Sequence, residues 1–398
     1  MTENNLPRKK LGEVCKFQGG TQPPKSNFIY QPKSGYIRLL QIRDFKSNKN
    51  ATYIPDSEKL KKCTESDLMI GRYGASVGQI LTGMSGAYNV ALIKAIPDKK
   101  LLLNDYLFHF LNTNDMQIWF KSQARSAQAG FNQTEINKVE IPIPPLTEQK
   151  KIVGKLEKML GKIKEAKILR TESLESTQNL LPAELHKIFG EGKKKGWEEK
   201  ELENLCEFQN GLWTAKKGPS QLTEVLRNTN FKNNDGTLNY VDIAQIEVEK
   251  NQLEKRLLNK EDLILERSGG GPDQPVGRVV YFDRESEKYS FSNFTTRIRV
   301  STNQINPKFL WYYLRHIYIS GKTELMQKKT TGIRNLIFSE YKQIKIPLPL
   351  LAEQKKIVAR LDSLSEKIDE LKKLQIETAA DLDALEKSLL HQAFSTFA

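Results

Sequence analysis

The sequence predicts an α+β protein: two tandem modules of mixed helix and strand, separated by two long helices that pair as an antiparallel coiled coil, with a pseudo-twofold internal repeat. Two observations carry this prediction. Residues 141–153 read IPIPPLTEQKKIV and residues 346–358 read IPLPLLAEQKKIV, so the chain repeats itself. After each of these segments the apolar residues recur at helical spacing.

The repeat extends through both halves of the chain. From the two segments onward the offset is 205 residues, without a gap, as far as Phe189 and Phe394. Near the start of each half, residues 11–20 (LGEVCKFQGG) match residues 202–211 (LENLCEFQNG) at an offset of 191 residues. The second copy is therefore 14 residues longer between these landmarks. The copies begin and end alike and differ between, which predicts a common framework around a variable part.

Each repeated segment leads into a predicted long helix, because the prolines before it disfavour helix upstream. The apolar residues then follow a heptad pattern, with Ile152, Leu156, Met159 and Ile163 in the first copy and Ile357, Leu361, Leu364, Ile368 and Leu371 in the second. Pro182 removes a backbone donor, so we expect a kink in the first helix. A narrow apolar seam needs a partner, and we expect the two helices to pair. The alternative is an ordinary helical hairpin packed on a core.

The repeat and the helical pattern together divide the chain into four regions. These are a first module (1–145), a central helix region (146–192), a second module (193–349) and a C-terminal helix region (350–398). Within the modules, residues 36–45 and 277–283 are rich in β-branched and aromatic residues, which predicts strands. Residues 104–113 and 306–318 have the spacing of short amphipathic helices.

The charge balance points to a polyanionic partner. Lys and Arg total 62 and Asp and Glu total 48, for a formal net charge of +14. Such a surface attracts polyanions, of which nucleic acid is the commonest, although a basic surface that only aids solubility is the alternative. Three cysteines without a CxxC spacing give little support for a disulfide framework or a zinc ribbon. The chain lacks an apolar run long enough for a signal peptide or a membrane span, so we expect a cytoplasmic protein without membrane contact.

One glycine-rich loop in each module carries side chains suited to DNA. Arg and Gln can make paired hydrogen bonds to guanine and adenine edges, and glycine lets a backbone approach another surface closely. The candidate DNA-binding residues are Arg72, Tyr73, Ser76 and Gln79 in the first module, and Arg267, Ser268, Gln274 and Arg278 in the second. A hairpin turn with incidental polar residues is the competing interpretation.

A second loop in each module lies shortly before the repeated segment and is rich in basic, hydroxyl and amide side chains. Its candidate DNA-binding residues are Arg125, Gln128 and Asn132 in the first module, and Lys328, Lys329, Arg334 and Asn335 in the second. Contacts from Lys and Arg to phosphate would position the module without reading sequence. A solvated charged loop is the alternative.

Motifs for chemistry on DNA are missing from the sequence. Gly321-Lys322-Thr323 resembles the tail of a phosphate loop, but His316 stands where its leading glycine should be. No Asn/Asp-Pro-Pro-aromatic motif of an adenine methyltransferase occurs, and Asp56 with Asp98 only loosely resembles a nuclease carboxylate set. The four histidines do not cluster at metal-ligand spacing. We therefore predict no catalytic, cofactor-binding or metal-binding residue in this chain.

Taken together, these features resemble the specificity subunit of type I restriction–modification systems. The resemblance rests on the doubled Pro-x-x-x-Glu-Gln-Lys-Lys-Ile-Val signature, on the heptad helices after it, and on the segment 66–79 (SDLMIGRYGASVGQ) with its partner at 261–278. It spans essentially the whole chain. The second copy departs by its 14 extra residues and by the glycines at 269–271, so residue-level equivalence between the two reading loops is in doubt.

The resemblance implies that this chain selects the DNA site and that other subunits catalyse the reactions. Each module would be a target recognition domain that reads one half of a split, asymmetric site on double-stranded DNA, and the helices would set the spacing between the halves. The helices would also dock two modification subunits, which bind S-adenosylmethionine and methylate adenine. Restriction subunits would add ATP- and Mg-dependent translocation and cleavage. This chain itself would hold no cofactor.

Two other functions compete with this interpretation. One is a self-contained DNA-modifying enzyme with a divergent motif, which would bind S-adenosylmethionine or ATP by itself. The other is a coiled-coil scaffold without a DNA role, which would show no sequence preference in competition binding at fixed salt.

Overall fold

The computed structural model describes residues 7–123, 130–191, 196–213, 218–232, 235–271, 274–285, 288–330 and 333–395. The chain divides into two compact units, Met1–Thr171 with Ile376–Ala398, and Glu172–Gln375. Two long helices supply residues to both units. The central helix is Leu146–Glu191, with Pro182 inside it, and the C-terminal helix is Leu351–Ser395. The two predicted long helices are therefore confirmed, and Pro182 does not end the first one.

The first unit contains two four-stranded sheets and a strand pair. Its strands are β1 Arg8–Lys10, β2 Cys15–Gly19, β3 Tyr36–Leu40, β4 Tyr53–Pro55, β5 Lys62–Cys63, β6 Leu68–Gly71, β7 Ile80–Leu81, β8 Gly86–Tyr88, β9 Leu92–Pro97 and β10 Glu140–Pro142. The sheet orders are β2-β9-β6-β7, β4-β3-β8-β5 and β1-β10. Its short helices are α1 Leu11–Val14, α2 Asn104–Leu111, α3 Asn114–Gln123 and α4 Gln133–Ile136.

The second unit repeats part of this plan in its described residues, with one four-stranded sheet, two three-stranded sheets and a strand pair. Its strands are β11 Glu198–Glu201, β12 Cys206–Asn210, β13 Ser220–Leu226, β14 Ala244–Glu249, β15 Leu263–Glu266, β16 Ser268–Gly270, β17 Val279–Tyr281, β18 Tyr289–Phe291, β19 Thr295–Val300, β20 Gln327–Thr330, β21 Ile333–Leu336 and β22 Lys345–Leu348. The sheet orders are β12-β19-β15-β17, β14-β13-β18, β16-β21-β20 and β11-β22. Its short helices are α5 Lys250–Glu254, α6 Pro307–Ile319 and α7 Phe338–Lys342.

The two units share strand pairing as well as strand order. In the first, β3 pairs with β4 antiparallel and with β8 parallel; in the second, β13 pairs with β14 antiparallel and with β18 parallel. The predicted strand at 36–45 was only half right: it ends at Leu40, and Ile42–Phe45 forms a 3₁₀ turn. Asp44 accepts the Gln41 backbone N–H at 2.7 Å, and this cap turns the chain out of the sheet.

Equivalent residues of the long helices close each core. In the first unit the Phe394 ring lies 5.0 Å from that of Tyr106 on α2. In the second the Phe189 ring lies 5.5 Å from that of Phe309 on α6. Both phenylalanines are buried. Each module therefore packs an aromatic ring from an equivalent position against the phenylalanine near the end of a long helix, which accounts for the repeat of that phenylalanine.

Within each unit the long helices run antiparallel. In the second unit Glu184 pairs with Arg360 at 2.5 Å, and Gln375 donates to Thr177 at 2.9 Å, so residue numbers fall along one helix as they rise along the other. The first unit shows the same direction. There Lys167 contacts Glu386, while Leu156, nearer the start of its helix, packs with Phe394 in one apolar cluster. The predicted antiparallel pairing is confirmed.

The predicted heptad seam is correct only in part. Leu361 and Ile368 are buried, but Leu371 is 43% exposed and Met159 is 38% exposed. The next buried position is Gln375, which lies seven residues after Ile368 and is 6% exposed. One row of the heptad pattern, Leu361, Ile368 and Gln375, is therefore buried, whereas Leu371 belongs to the alternate row. The middle of the helix pair is therefore closed by polar groups rather than by leucine.

Candidate nucleic-acid interface

The glutamines of the repeated signature join each module to its helix. Gln149 is fully buried; its side-chain oxygen accepts the Leu103 N–H at 3.0 Å, and its amide donates to the carbonyls of Leu101 and Pro144 at 2.7 and 2.9 Å. These bonds link the start of the central helix to the segment that enters α2. Sequence reasoning did not assign this role, although the repetition of the Glu-Gln pair was its signal.

Gln354 makes the same three bonds in the second unit. Its oxygen accepts the Asn306 N–H at 2.8 Å, and its amide donates to the carbonyls of Gln304 and Pro349 at 2.9 and 2.8 Å. Gln354 is also fully buried. The repeated signature is thus a clamp that fixes each module on its helix and leaves the loops free to differ.

The glycine-rich loop of the first module connects β6 to β7 and is tightly folded. A Cβ on Gly71 would lie 2.1 Å from the Ser76 carbonyl oxygen, so only glycine fits there. Arg72 donates from Nε to the Phe131 carbonyl at 3.1 Å and lies 4.9 Å from the Tyr73 ring centre. Tyr73 is 42% exposed, and Ser76 and Gln79 are partly exposed. The loop therefore presents polar and aromatic groups from a fixed backbone.

The second loop of the first module meets the first. Tyr73 forms an antiparallel bridge with Gly130, next to the bond from Arg72 to Phe131. Asn132 caps α4: its side chain accepts the Glu135 N–H at 3.0 Å. The side-chain oxygen of Asn132 is thus engaged by the protein, which leaves its amide nitrogen for a partner. Arg125 and Gln128 lie outside the described residues.

In the second module the two predicted loops form one small sheet, β16-β21-β20. Ser268 donates to the Asn335 side-chain oxygen at 2.6 Å and joins the first loop to the second. Lys328 and Lys329 stand opposite Asn335 and Arg334 across the β20–β21 hairpin. Lys328 is exposed and Arg334 is partly exposed, so the hairpin carries basic groups beside Ser268. The side chain of Lys329 is outside the described part of the structure.

Arg267 is held more firmly than the sequence suggests. One of its terminal nitrogens donates to the Asn210 side chain at 2.7 Å, and its guanidinium lies 4.3 Å from the Phe338 ring centre. Burial lowers the pKa of Arg267. Asn210 and Phe338 were not singled out from sequence, and the only signal for Asn210 was its position before the repeated Gly211.

Arg278 and Gln274 occupy an internal position. Arg278 is 7% exposed and forms a two-pronged ion pair with Glu266, both N–O distances being 2.7 Å. The Gln274 side-chain amide lies against the same guanidinium. Breaking a buried pair of this kind costs about 3–5 kcal/mol because a charge is left without compensation. The geometry therefore favours a structural role for both residues over the base contact that the sequence suggested.

The described residues offer few groups suited to metal binding or to nucleophilic catalysis. Within the described ranges, no three His, Cys, Asp or Glu side chains are placed to share a metal ion. Cys15 and Cys206 are buried, and burial raises the pKa of each thiol to about 12, which keeps both unreactive at neutral pH. None of the helices in the described residues has the length and apolarity of a membrane span.

The doubled framework, with a pair of loops in each copy, defines a class of proteins built from two copies of one domain. The family model "Type I restriction modification DNA specificity domain" matches residues 5–172 and again residues 194–379. The chain belongs to this family, which gives it a role in DNA sequence specificity. The resemblance inferred from the repeated signature is thereby confirmed.

Relatives and solved structures agree with this assignment. The chain is 24% identical to the type I restriction enzyme StySPI specificity subunit of Salmonella potsdam, over 94% of this chain and 85% of that protein. It is 23% identical to the MjaVIII specificity subunit of Methanocaldococcus jannaschii, over 93% and 89% of the two chains. The fold matches an HsdS subunit from Thermoanaerobacter tengcongensis with a TM-score of 0.62 and 19% identity, over 99% of this chain and 98% of that one. A chain solved in work on assembly and conformational transition of the type I restriction–modification system matches with a TM-score of 0.74 and 20% identity, over 98% of both chains.

Proposed function

We propose that each module, 1–145 and 193–349, reads one half of a bipartite, asymmetric site on double-stranded DNA. The observation that carries this proposal is the combination of like sheets with unlike loops. Both modules keep a four-stranded sheet of matching order, β2-β9-β6-β7 and β12-β19-β15-β17, and the same glutamine clamp. In the described residues, the hairpin β20–β21 pairs with β16 in the second module only, and β5 pairs with β8 in the first module only. Two modules with different loops on a common framework suit recognition of two different half-sites.

In this proposal the chain directs a larger complex to its DNA site. Two modification subunits dock on the helix regions, and restriction subunits join that assembly. The partners bind S-adenosylmethionine, ATP and Mg, and they carry out methylation and cleavage, while this chain supplies no catalytic group. The paired helices set the distance between the half-sites. A net charge of +14 favours phosphate contacts that hold both modules on the duplex.

The test is reconstitution with the modification subunit, followed by sequencing of methylated positions in plasmid DNA. We expect adenine methylation at one bipartite sequence with the partner present, and none by the chain alone. Methyl transfer or tight S-adenosylmethionine binding by the isolated chain would refute the non-catalytic assignment. Equal affinity for all duplexes in competition at fixed salt would instead favour a scaffold.

The division of labour between modules has its own test. Gln79→Ala should weaken recognition of one half-site and Arg267→Ala that of the other, each by about 1–3 kcal/mol if a paired base contact is lost. Glu58→Ala, at an exposed position of the first module outside both candidate loops, serves as the control. If either loop variant weakened binding to both half-sites equally, the assignment of one module to each half-site would be wrong.

A further inference from the structure

A cleft of about 310 Å³ lies beside the reading loop of the second module. Its apolar walls come from Leu212, Trp213, Val225, Ile246, Val248 and Phe294. Trp213 is 62% exposed and Phe294 is 47% exposed. In the part of the second unit that the structure describes, no other aromatic side chain is as exposed to solvent as these two. Two large apolar groups kept in water beside one cleft indicate a contact surface.

The cleft and the reading loop form one piece of structure. The Phe294 carbonyl accepts the backbone N–H groups of Arg267 and Ser268 at 2.8 and 3.3 Å. From the opposite side the Asn228 amide donates to the Ser268 carbonyl at 2.7 Å. Gly269, with φ of +101°, follows directly and lines the cleft. A duplex that touches this loop therefore also meets the cleft.

The first module lacks the aromatic pair at the equivalent positions. Arg72 donates its backbone N–H to the Ala91 carbonyl at 2.9 Å, as Arg267 does to Phe294. The repeat that aligns Gly20 with Gly211 also places Gln22 where the second module has Trp213. Trp213 and Phe294 thus belong to the part that differs between modules, which is the part that distinguishes the half-sites.

The chemistry of the cleft suits a methyl group better than a base edge. Two polar atoms of its lining residues, Asn228 Oδ1 and Ser292 Oγ, are buried without a hydrogen-bond partner and have no surface to offer a ligand. The other uncharged polar residues of the lining, Thr229 and Asn293, and the carboxylate of Glu247 are exposed to solvent. A base placed in a pocket is read by hydrogen bonds to its edge. An apolar surface instead recognises the 5-methyl group of thymine, which stands in the major groove of an intact duplex. Arg227 on the rim adds a positive charge for a nearby phosphate.

We propose that Trp213 and Phe294 recognise the 5-methyl group of one thymine in the second module's half-site. This inference rests on the proposed function. It predicts that this half-site contains a T·A pair whose methyl group contributes to affinity, and that the first half-site is read without such a contact from the equivalent residues.

The test replaces thymine by uracil, which removes only the methyl group. The full complex is first used to select its site from duplexes with random sequence, and each thymine of that site is then replaced singly. We expect about a 4-fold loss of affinity at one position of one half-site, the value of one buried methyl group. Trp213→Ala should bind the thymine duplex roughly 10-fold more weakly and no longer distinguish thymine from uracil there. Phe294→Ala should behave alike.

Leu222→Ala is the matched control, because Leu222 is 60% exposed on β13 and does not line the cleft. It should keep the discrimination, and all variants should treat the first half-site as the unchanged chain does. A second half-site without T·A pairs, or an unchanged thymine-to-uracil ratio in both aromatic variants, would overturn this inference while leaving sequence-specific binding intact. Loss of all sequence preference in the unchanged complex would refute the proposed function and this inference together.

Discussion

Replacing Gln149 by alanine should detach the first module locally from its helix. The side chain is fully buried and makes three hydrogen bonds, at 2.7, 2.9 and 3.0 Å. Alanine cannot replace any of them, and a buried polar group left without a partner costs about 1–3 kcal/mol. Two of the three bonds are only partly buried, so water restores part of the loss. We expect the free energy of unfolding of the first unit to fall by about 2–4 kcal/mol.

The assay is hydrogen exchange read at single amides, because a chain with two compact units need not unfold in one step. In Gln149→Ala the Leu103 amide should lose protection, whereas the equivalent Asn306 amide should keep it. Gln354→Ala should show the reverse pattern. Lys150→Ala, on an exposed neighbouring position, is the control. Equal protection of Leu103 in the Gln149→Ala and Lys150→Ala variants would show that the clamp contributes little, and the reasoning would be refuted.

Three further predictions concern buried polar groups. Arg278→Ala should lower the free energy of unfolding of the second unit by about 3–5 kcal/mol, since Glu266 is left buried without its partner; a change in thermal midpoint no larger than that of an exposed-site variant would contradict this. Gln375→Leu should change the free energy of unfolding by no more than about 1 kcal/mol, because the lost bonds from its amide to Ser173 and Thr177 are offset by removal of a side-chain oxygen that is buried without a hydrogen-bond partner; a clear loss in denaturant titration would show that the polar contact is needed. Burial lowers the pKa of His316 from 6.5 to about 4. The unfolded chain then binds the extra proton first, so stability should fall as pH drops from about 6.5 towards 4, and His316→Phe should flatten that profile.

Much of the framework could be predicted from sequence because the chain contains two similar copies of it. The repeated segments predicted the starts of both long helices, and the heptad spacing predicted that the two helices pair. The seam failed at Met159 and Leu371, which lie in one row of the heptad pattern, whereas the other row is buried at Leu156, Ile163, Leu361 and Ile368. Periodicity alone does not show which row faces the partner helix.

The candidate interface was harder to predict because its roles depend on contacts between distant residues. Arg278 and Arg267 both looked like base readers. The first is neutralised by Glu266 across the sheet, and the second is held by Asn210, which lies 57 residues away in sequence. Whether an arginine faces a duplex or a buried carboxylate is decided by strand pairing, and residue type in a loop does not reveal it. Trp213 and Phe294 were not predicted as candidate residues for the same reason, because they come together at one cleft only in the folded chain.

The short strand pairs at the edges of the modules have a consequence for how this chain can change. In each unit the first and last strands of the module, β1 with β10 and β11 with β22, lie side by side, so the polypeptide enters and leaves at neighbouring points. The residues between the two paired strands can therefore be lengthened, shortened or exchanged without moving the strands themselves. A change of DNA specificity in one module then leaves the other module and the long helices unchanged.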